Sequence, residues 1–227
     1  LKKYDPSETR EWQLNKRVDE YVEPELEKYD VEVIRVDDRT GNVDVSLAQR
    51  TIKANGWGAD MFISIHHNAG VNGGTGGGVT VHRYLGSTKF TKQMQGQLYN
   101  SVIRHNGLRG NRVTPLCEDN FHVLRESNMP AILIENGFMD SSTDIPIIIT
   151  DDHAKATAIG VVEFIVNHFE LEKLGENEEE NNVSVWAKEA KEFITRTKIS
   201  DGTKPKKNIT REETWVMLHR LYKYLRG

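Results

Sequence analysis

Two short apolar stretches constrain the fold of this chain more than any other feature of its sequence. Residues 59–68 read ADMFISIHHN and residues 130–140 read PAILIENGFMD, and both carry unbroken runs of strand-forming residues. Such runs are typical of strands that are covered on both faces, as in parallel sheets. One run ends at His66 and the other at Glu135. Because ligands bind beyond the carboxyl ends of such strands, we expect a metal ligand and a general base side by side in one crevice.

A strand, a helix and a second strand follow one another before His66. Alternating apolar residues at 31–36 predict the first strand, and residues 61–65 form the second. Between them, Ser46 and Gln49 have the spacing of a capping box at the start of a helix. This order is that of a βαβ unit. It predicts an α/β fold with a mostly parallel, twisted sheet flanked by helices.

A glycine-rich loop at residues 70–78 separates the first predicted crevice residue from the rest of the sheet. The loop leads into a strand and lacks the Gly-Lys-Ser/Thr ending of a phosphate cradle, so we place it beside a substrate groove and not at a nucleotide. Three further helices are predicted: one begins at Glu11, one spans 88–106, and one runs to Phe169 after a cap at Asp151 or Asp152. Two further strands are predicted at 79–84 and 121–124.

Charge and composition divide the chain into three parts. Residues 183–227 carry 11 Lys and Arg against 5 Asp and Glu, a surplus of +6, while residues 1–182 carry −10. Residues 171–182 are an acidic, apolar-poor linker. We therefore predict a main domain at 1–170, the linker, and a small C-terminal helical domain at 183–227. The positive charge of the C-terminal domain favours an anionic polymer as its partner; the alternative is a basic face that is only solvated. We expect this small domain either to pack on the body or to pair with a copy from another chain.

The chain contains a single cysteine, Cys117. This excludes an intrachain disulfide and a zinc site built from cysteines. No apolar run reaches the 18 or more residues that span a bilayer, so we expect no membrane span. We also expect no nucleic-acid partner. The first residue is Leu1, and we expect a further segment before it.

The residues alone leave the chemistry of the crevice open. His66 and His67 are adjacent in an extended segment, so at most one of them can serve a given metal ion, and either can simply be hydrogen-bonded. Glu135 follows an apolar run that would desolvate it and raise its pKa toward the range of a general base. The alternative is an ion pair between Glu135 and Arg125 or Arg112.

Several motifs in the right order resemble the zinc-dependent N-acetylmuramoyl-L-alanine amidases of the bacterial and phage cell-wall lytic type. They are EWQLN at 11–15, SIHHN at 64–68 and FHVLRESNMPAILIENGFMD at 121–140. The resemblance covers about residues 8–170. It implies peptidoglycan as substrate, Zn²⁺ as cofactor, and action at the bacterial cell wall after export or release by lysis.

The resemblance also implies roles for individual residues. Glu11 and His66 are implied as zinc ligands and Glu135 as the catalytic base. A third ligand, the His of a Gly-His-Gly loop, is expected upstream of Leu1 together with the first strand of the fold. His67 departs from the family pattern, in which a small residue is common. Substrate-binding candidates are His67, Asn68 and Arg125.

The implied reaction is hydrolysis of the amide between N-acetylmuramic acid and L-alanine, in a protein of the phage endolysin type. One alternative is a non-catalytic wall-binding protein on an amidase fold, and another is a metallopeptidase of different specificity. The C-terminal part resembles a single S-layer-homology-like unit, which implies binding to an anionic wall polymer through Trp186 and Arg211. Wall-anchoring proteins usually carry three such units, and the oligomeric state is left open.

Overall fold

The structure is a computed structural model that describes residues 3–174, 187–200 and 211–226. It divides the chain into two units, Leu1–Leu171 and Glu172–Gly227. The first unit contains the sheet and all the residues predicted for the crevice.

A mixed sheet of four strands forms the centre of the first unit. Its strands are β1 (Phe62–Asn68), β2 (Val79–Tyr84), β3 (Leu116–Asp119) and β4 (Ala131–Phe138), in the spatial order β1-β4-β2-β3. β1 is parallel to β4 and β2 is parallel to β3, but β4 and β2 are antiparallel. The α/β class is therefore confirmed, and the mostly parallel sheet is corrected to a mixed one. An apolar run indicates that both faces of β4 are covered. It does not indicate whether the neighbouring strand is parallel or antiparallel.

Three long helices cover one face of the sheet. They are α1 (Glu11–Leu26), α3 (Lys89–Asn106) and α6 (Asp151–Phe169). Their apolar residues form the main core with the strand residues that face them, including Val79, Val81, Ile132 and Ile134. Gly160 lets α6 approach α3 closely, because a Cβ at this position would lie 2.6 Å from the Val102 Cα.

Two shorter helices cover part of the opposite face. They are α2 (Leu47–Trp57) and α4 (His122–Arg125), and they pack on Phe62, Ala131 and Leu133 in a second, smaller core. The predicted capping box of α2 is confirmed, since Ser46 accepts a hydrogen bond from the Gln49 amide. A further one-turn helix, α5 (Ile145–Ile148), follows β4. The sheet is thus flanked by helices on both faces, as predicted.

Three local predictions were wrong. Residues 121–124, predicted as a strand, instead form the N-cap and the first three residues of α4, and the short strand at this edge is β3. The cap of α6 is Thr150, whose hydroxyl accepts from the His153 amide, and Asp151 is the first helical residue. Residues 31–36 form no strand. Their alternation is real, but a strand also needs a partner within hydrogen-bonding distance.

A cavity of about 960 Å³ lies along β1, on the side away from β4. It is lined by residues 31–36 together with Leu26, Met61, Ile63 and Ile165, among others. Among the described residues β1 is an edge strand, so its outer amides and carbonyls have no ladder partner there on this side. The cavity thus separates the segment at 31–36 from β1.

The second unit contains α7 (Lys188–Arg196) and α8 (Arg211–Arg226). The Phe193 ring meets the Tyr224 ring edge to face at 5.7 Å. The predicted apolar stripe of α8 is largely exposed; it comprises Trp215, Leu218, Tyr222 and Leu225. Trp186 lies outside the described residues, and Arg211 begins α8. No helix in the described ranges is long and apolar enough to span a bilayer.

Candidate active site

β1 and β4 bring two predicted crevice residues to the same end of the sheet. These strands are parallel neighbours, and His66 lies opposite Glu135 in their register. Register partners on adjacent strands project to the same face. Both side chains therefore lie on the face that carries Phe62 and Leu133, beyond the small core formed with α2 and α4.

Glu11 reaches the same crevice from the first turn of α1. Its Oε1 lies 2.6 Å from the His66 Nδ1 and 3.3 Å from the Asn15 Nδ2, which donates to it. Arg10 precedes the helix in an extended conformation and its amide donates to the Gln13 side chain, which fixes where the helix begins. The structure thus joins two residues that are 55 positions apart in the sequence.

Glu11 and His66 affect each other's protonation. Burial acts to raise the pKa of Glu11, but the hydrogen bond and the charge of His66 outweigh it and lower this pKa overall. Burial acts to lower the pKa of His66, and contact with Glu11 outweighs it and raises this pKa. Without a metal ion the two therefore favour a charged pair. The Glu11 carboxylate oxygen and the His66 nitrogen are atoms that could coordinate a divalent cation in place of each other.

Glu135 is held apart from that pair. Its Oε2 is buried and has no hydrogen-bond partner within the described part of the chain. Burial raises its pKa to about 7, with a further rise from the charge of Glu11 and an opposing effect of His66. The alternative partners lie elsewhere, since Arg112 stacks over the Phe138 ring at 4.4 Å and Arg125 bonds to Asn120 and Glu126. A carboxyl group with this pKa exchanges protons readily near neutral pH.

His67 is not brought to the crevice. It is only 4% exposed, and its Nδ1 lies 2.8 Å from the Asn15 Oδ1 on α1. Burial, reinforced by His153, lowers its pKa to about 3. The structure therefore places this candidate substrate-binding residue on the helix-packed face, as a neutral structural histidine. Asn68 lies half-buried at the end of β1, where its carbonyl accepts from the Met139 amide.

The burial of His67 predicts a pH-dependent stability. The unfolded chain protonates this histidine near 6.5, whereas the fold protonates it only near pH 3, so the unfolded state binds more protons between these values. The stabilisation is fully present above pH 6.5 and is lost as the pH falls, by up to about 1.4 kcal/mol per pH unit. The free energy of unfolding, measured with urea at several pH values between 4 and 7, should change less steeply with pH for His67→Gln than for the unchanged chain. Equal slopes would contradict the assignment.

Asparagine side chains that sequence reasoning missed support the crevice. The Asn136 side chain is fully buried, and its Nδ2 donates to the His66 carbonyl where the β1–β4 register shifts. Asn15 bridges Glu11 and His67, one helical turn from the former. The available signal was a polar residue within or beside an apolar pattern, although the Asn136 Oδ1 has no hydrogen-bond partner among the described residues.

Two aspartates fix the glycine-rich loop beside the crevice. The Asp140 Oδ2 accepts from the amides of Gly70 and Asn72, at 2.9 and 2.7 Å. The Asp144 Oδ2 accepts from the amides of Gly78 and Phe138, at 2.7 and 3.0 Å. The loop is therefore tied to the end of β4, which carries Glu135.

The donor set of the crevice suits zinc, although it is not complete. Zinc in hydrolases is bound by nitrogen and oxygen ligands, and Glu11 and His66 present one of each within 2.6 Å. Within the described ranges, no third His, Cys or carboxylate completes a three-ligand cluster with them. Glu135 is also outside such a cluster, as expected of a base that does not bind the metal ion itself.

The first unit thus combines an α/β fold with a Glu–His pair and with a glutamate whose buried Oε2 has no partner among the described residues. The family model for N-acetylmuramoyl-L-alanine amidases matches residues 3–167. The chain therefore belongs to the N-acetylmuramoyl-L-alanine amidase family.

Curated relatives come from bacteria and from a phage. The chain is 39% identical over 137 residues to a sporulation-specific N-acetylmuramoyl-L-alanine amidase of Bacillus subtilis, which covers 60% of this chain and 50% of that protein. It is 32% identical over 142 residues to the endolysin of Bacillus phage SPP1, covering 60% and 49%. The chain thus spans about half the length of these relatives.

Solved structures of the family share the fold. An N-acetylmuramoyl-L-alanine amidase from Clostridium difficile 630 superposes with a TM-score of 0.65 at 31% identity, covering 73% of this chain and 87% of that one. The catalytic domain of CwlV from Paenibacillus polymyxa gives a TM-score of 0.65 at 23% identity, covering 74% and 89%, and shows the fold alone.

Proposed function

We propose that this protein is a zinc-dependent amidase that cleaves the bond between N-acetylmuramic acid and L-alanine in peptidoglycan. The observation that carries the proposal is the Glu11–His66 pair beside the buried, partnerless Glu135, in a chain of the amidase family. Action at the bacterial cell wall, after export or release by lysis, is part of the same proposal. So is the phage endolysin role, which the similarity to the phage SPP1 endolysin supports.

The residues divide the chemical work. Zinc held by Glu11 and His66 would supply a Lewis acid for the scissile carbonyl and lower the pKa of water. Glu135 takes a proton from the attacking water and delivers it to the leaving amine of L-alanine. Its raised pKa suits both transfers, because the group must accept a proton and then release it near neutral pH. Asn136 keeps the His66 backbone in place throughout.

We further propose that an extended segment upstream of Leu1 lies along β1 and brings the third zinc ligand. The cavity of about 960 Å³ beside this edge strand supports the proposal, since a strand there would fill apolar volume and pair the free backbone of β1. The same strand would give residues 31–36 the neighbour that they lack.

The test of the proposed reaction is to identify the amino groups released from purified peptidoglycan. A protein that carries the upstream segment should release new amino groups on L-alanine, in step with its zinc content. New amino groups on another residue would favour a metallopeptidase of different specificity. Wall binding without zinc and without release would make the protein a binding module on an amidase fold.

We propose that residues 183–227 form an S-layer-homology-like unit for an anionic wall polymer. Their charge surplus of +6 supports the proposal. Trp186 and Arg211 are the proposed contacts, and residues 171–182 the linker.

Deletion of residues 176–227 should weaken co-sedimentation with purified walls. The difference between the full chain and the deletion variant should be large at low salt and shrink as salt screens the basic surface. Unchanged sedimentation of the deletion variant would show that these residues only pack or dimerise.

A further inference from the structure

A second group of metal-ligating side chains lies at the opposite edge of the sheet from His66. His82 is on β2, and Cys117 and Asp119 are on β3. In the register of these parallel strands, Cys117 lies opposite His82, and Asp119 is two residues further along the same face. The candidate ligand atoms all lie within 4.8 Å of one another.

We propose that His82, Cys117 and Asp119 bind a divalent metal ion of the zinc type, at a site separate from the crevice. One nitrogen, one sulfur and one oxygen donor form a mixed set of borderline softness, which suits zinc better than magnesium or calcium. A thiolate and a carboxylate also balance the charge of a divalent cation. The sequence excluded a site made of several cysteines, but this set needs only one.

The hydrogen bonds around His82 fit such a ligand. Its Nδ1 lies 2.6 Å from the Asp119 Oδ2, and its Nε2 lies 2.9 Å from the Thr80 hydroxyl. Metal binding at Nδ1 places the ring proton on Nε2, where the Thr80 oxygen accepts it. Ligating histidines generally have such a partner on their other nitrogen, which fixes the tautomer and the ring orientation.

Burial holds His82, one of the three ligands, in place before a metal ion enters, while Cys117 and Asp119 are partly exposed. His82 is 8% exposed and Thr80 is 1% exposed, and the Phe121 ring packs 5.6 Å from the His82 ring. Strand positions hold ligands more firmly than loop positions do. Burial and the Asp119 charge raise the pKa of the Cys117 thiol, so the metal-free site holds a neutral thiol whose proton leaves when the ion binds.

The ion would tie a weak edge of the sheet to its interior. β3 has only four residues and is the outermost strand. Two of the three candidate ligands of the metal ion, Cys117 and Asp119, belong to β3. A ligand that binds the folded state alone stabilises it by mass action, so the site is expected to protect this edge. A simple His82–Asp119 hydrogen bond without metal affinity is the competing interpretation.

Cobalt titration of the protein distinguishes these interpretations. Cys117 is the single cysteine, so a thiolate-to-cobalt charge-transfer band reports this site and cannot arise from Glu11 and His66. We expect a band that saturates at about one equivalent of Co²⁺ and that is lost in Cys117→Ser. In His82→Ala and Asp119→Asn the apparent affinity should fall by about 10-fold or more, since loss of a ligand costs at least as much as loss of a residue that orients one.

Two controls keep the test independent of the proposed amidase reaction. Glu11→Gln alters the crevice and should leave the band unchanged. His105→Ala removes a histidine on α3 that is paired with Glu163 on α6, and it should also leave the band unchanged. Zinc should protect Cys117 from alkylation in the unchanged chain, which checks the site without any substitution. No band and no protection would overturn the proposal, and so would a band of full affinity in both His82→Ala and Asp119→Asn.

Discussion

Glu135→Gln is expected to reduce amidase turnover by about 10²–10⁴-fold, the usual contribution of a general acid or base. Glutamine has nearly the same shape but cannot take a proton from water. Glu135→Ala should also abolish turnover. Because the Glu135 Oε2 has no hydrogen-bond partner in the part of the chain that the structure describes, its replacement breaks no hydrogen bond seen at that atom. Zinc content should therefore be retained while the reaction is lost.

Glu135→Gln should leave the metal-free protein as stable as the unchanged chain or more stable. Burial raises the pKa of Glu135 from 4.5 to about 7, so the folded state loses stability as the pH rises between these values and bears the full cost above them. A neutral glutamine removes this cost. The measurements are amino-group release and urea unfolding at pH 8, with Glu126→Gln on the surface as the matched control. Near-normal release by Glu135→Gln would show that another group is the base.

Asp144→Ala should destabilise the fold by about 2–4 kcal/mol, the range expected when charged hydrogen bonds to buried amides are lost. Asp144 is 1% exposed, and its Oδ2 accepts from the amides of Gly78 and Phe138. Alanine would leave both amides unsatisfied and would free one end of the glycine-rich loop. The loop lies beside the crevice, so turnover should fall as well.

Denaturant unfolding measures this effect against two comparisons. Asp144→Asn retains one acceptor and should be destabilised less than Asp144→Ala. Asp44→Ala removes a carboxylate whose side chain is fully exposed, and it should change stability by less than about 0.5 kcal/mol. An Asp144→Ala protein as stable as the Asp44→Ala protein would show that the aspartate does not hold the loop.

The sequence was informative about the crevice because strand ends and local order fix much of it. The apolar runs before His66 and Glu135 identified two strands, and their parallel pairing places both residues at one end of the sheet. Family motifs added Glu11, which no local pattern links to either strand. The helices followed from apolar periodicity, and the Ser46 cap from its spacing to Gln49.

Local sequence patterns could not predict the direction of the strands, their pairing or the burial of particular side chains. The antiparallel contact of β4 with β2 depends on which strands meet in space, and burial on both faces hides it. Residues 31–36 alternate like a strand but have a cavity where a partner would lie. His67 differs from His66 only by one position, and the strand period sends it to the opposite face. The His82, Cys117 and Asp119 cluster arises from strand register and has no signature along the chain.

The most direct test of the account is a crystal structure of the zinc-loaded protein, with the upstream segment, that records anomalous scattering at the zinc edge. We expect a peak about 2.0–2.2 Å from a Glu11 carboxylate oxygen and a His66 nitrogen, with Glu135 nearby but not bonded to the metal. Absence of zinc from Glu11 and His66, or Glu135 as a direct zinc ligand, would contradict it.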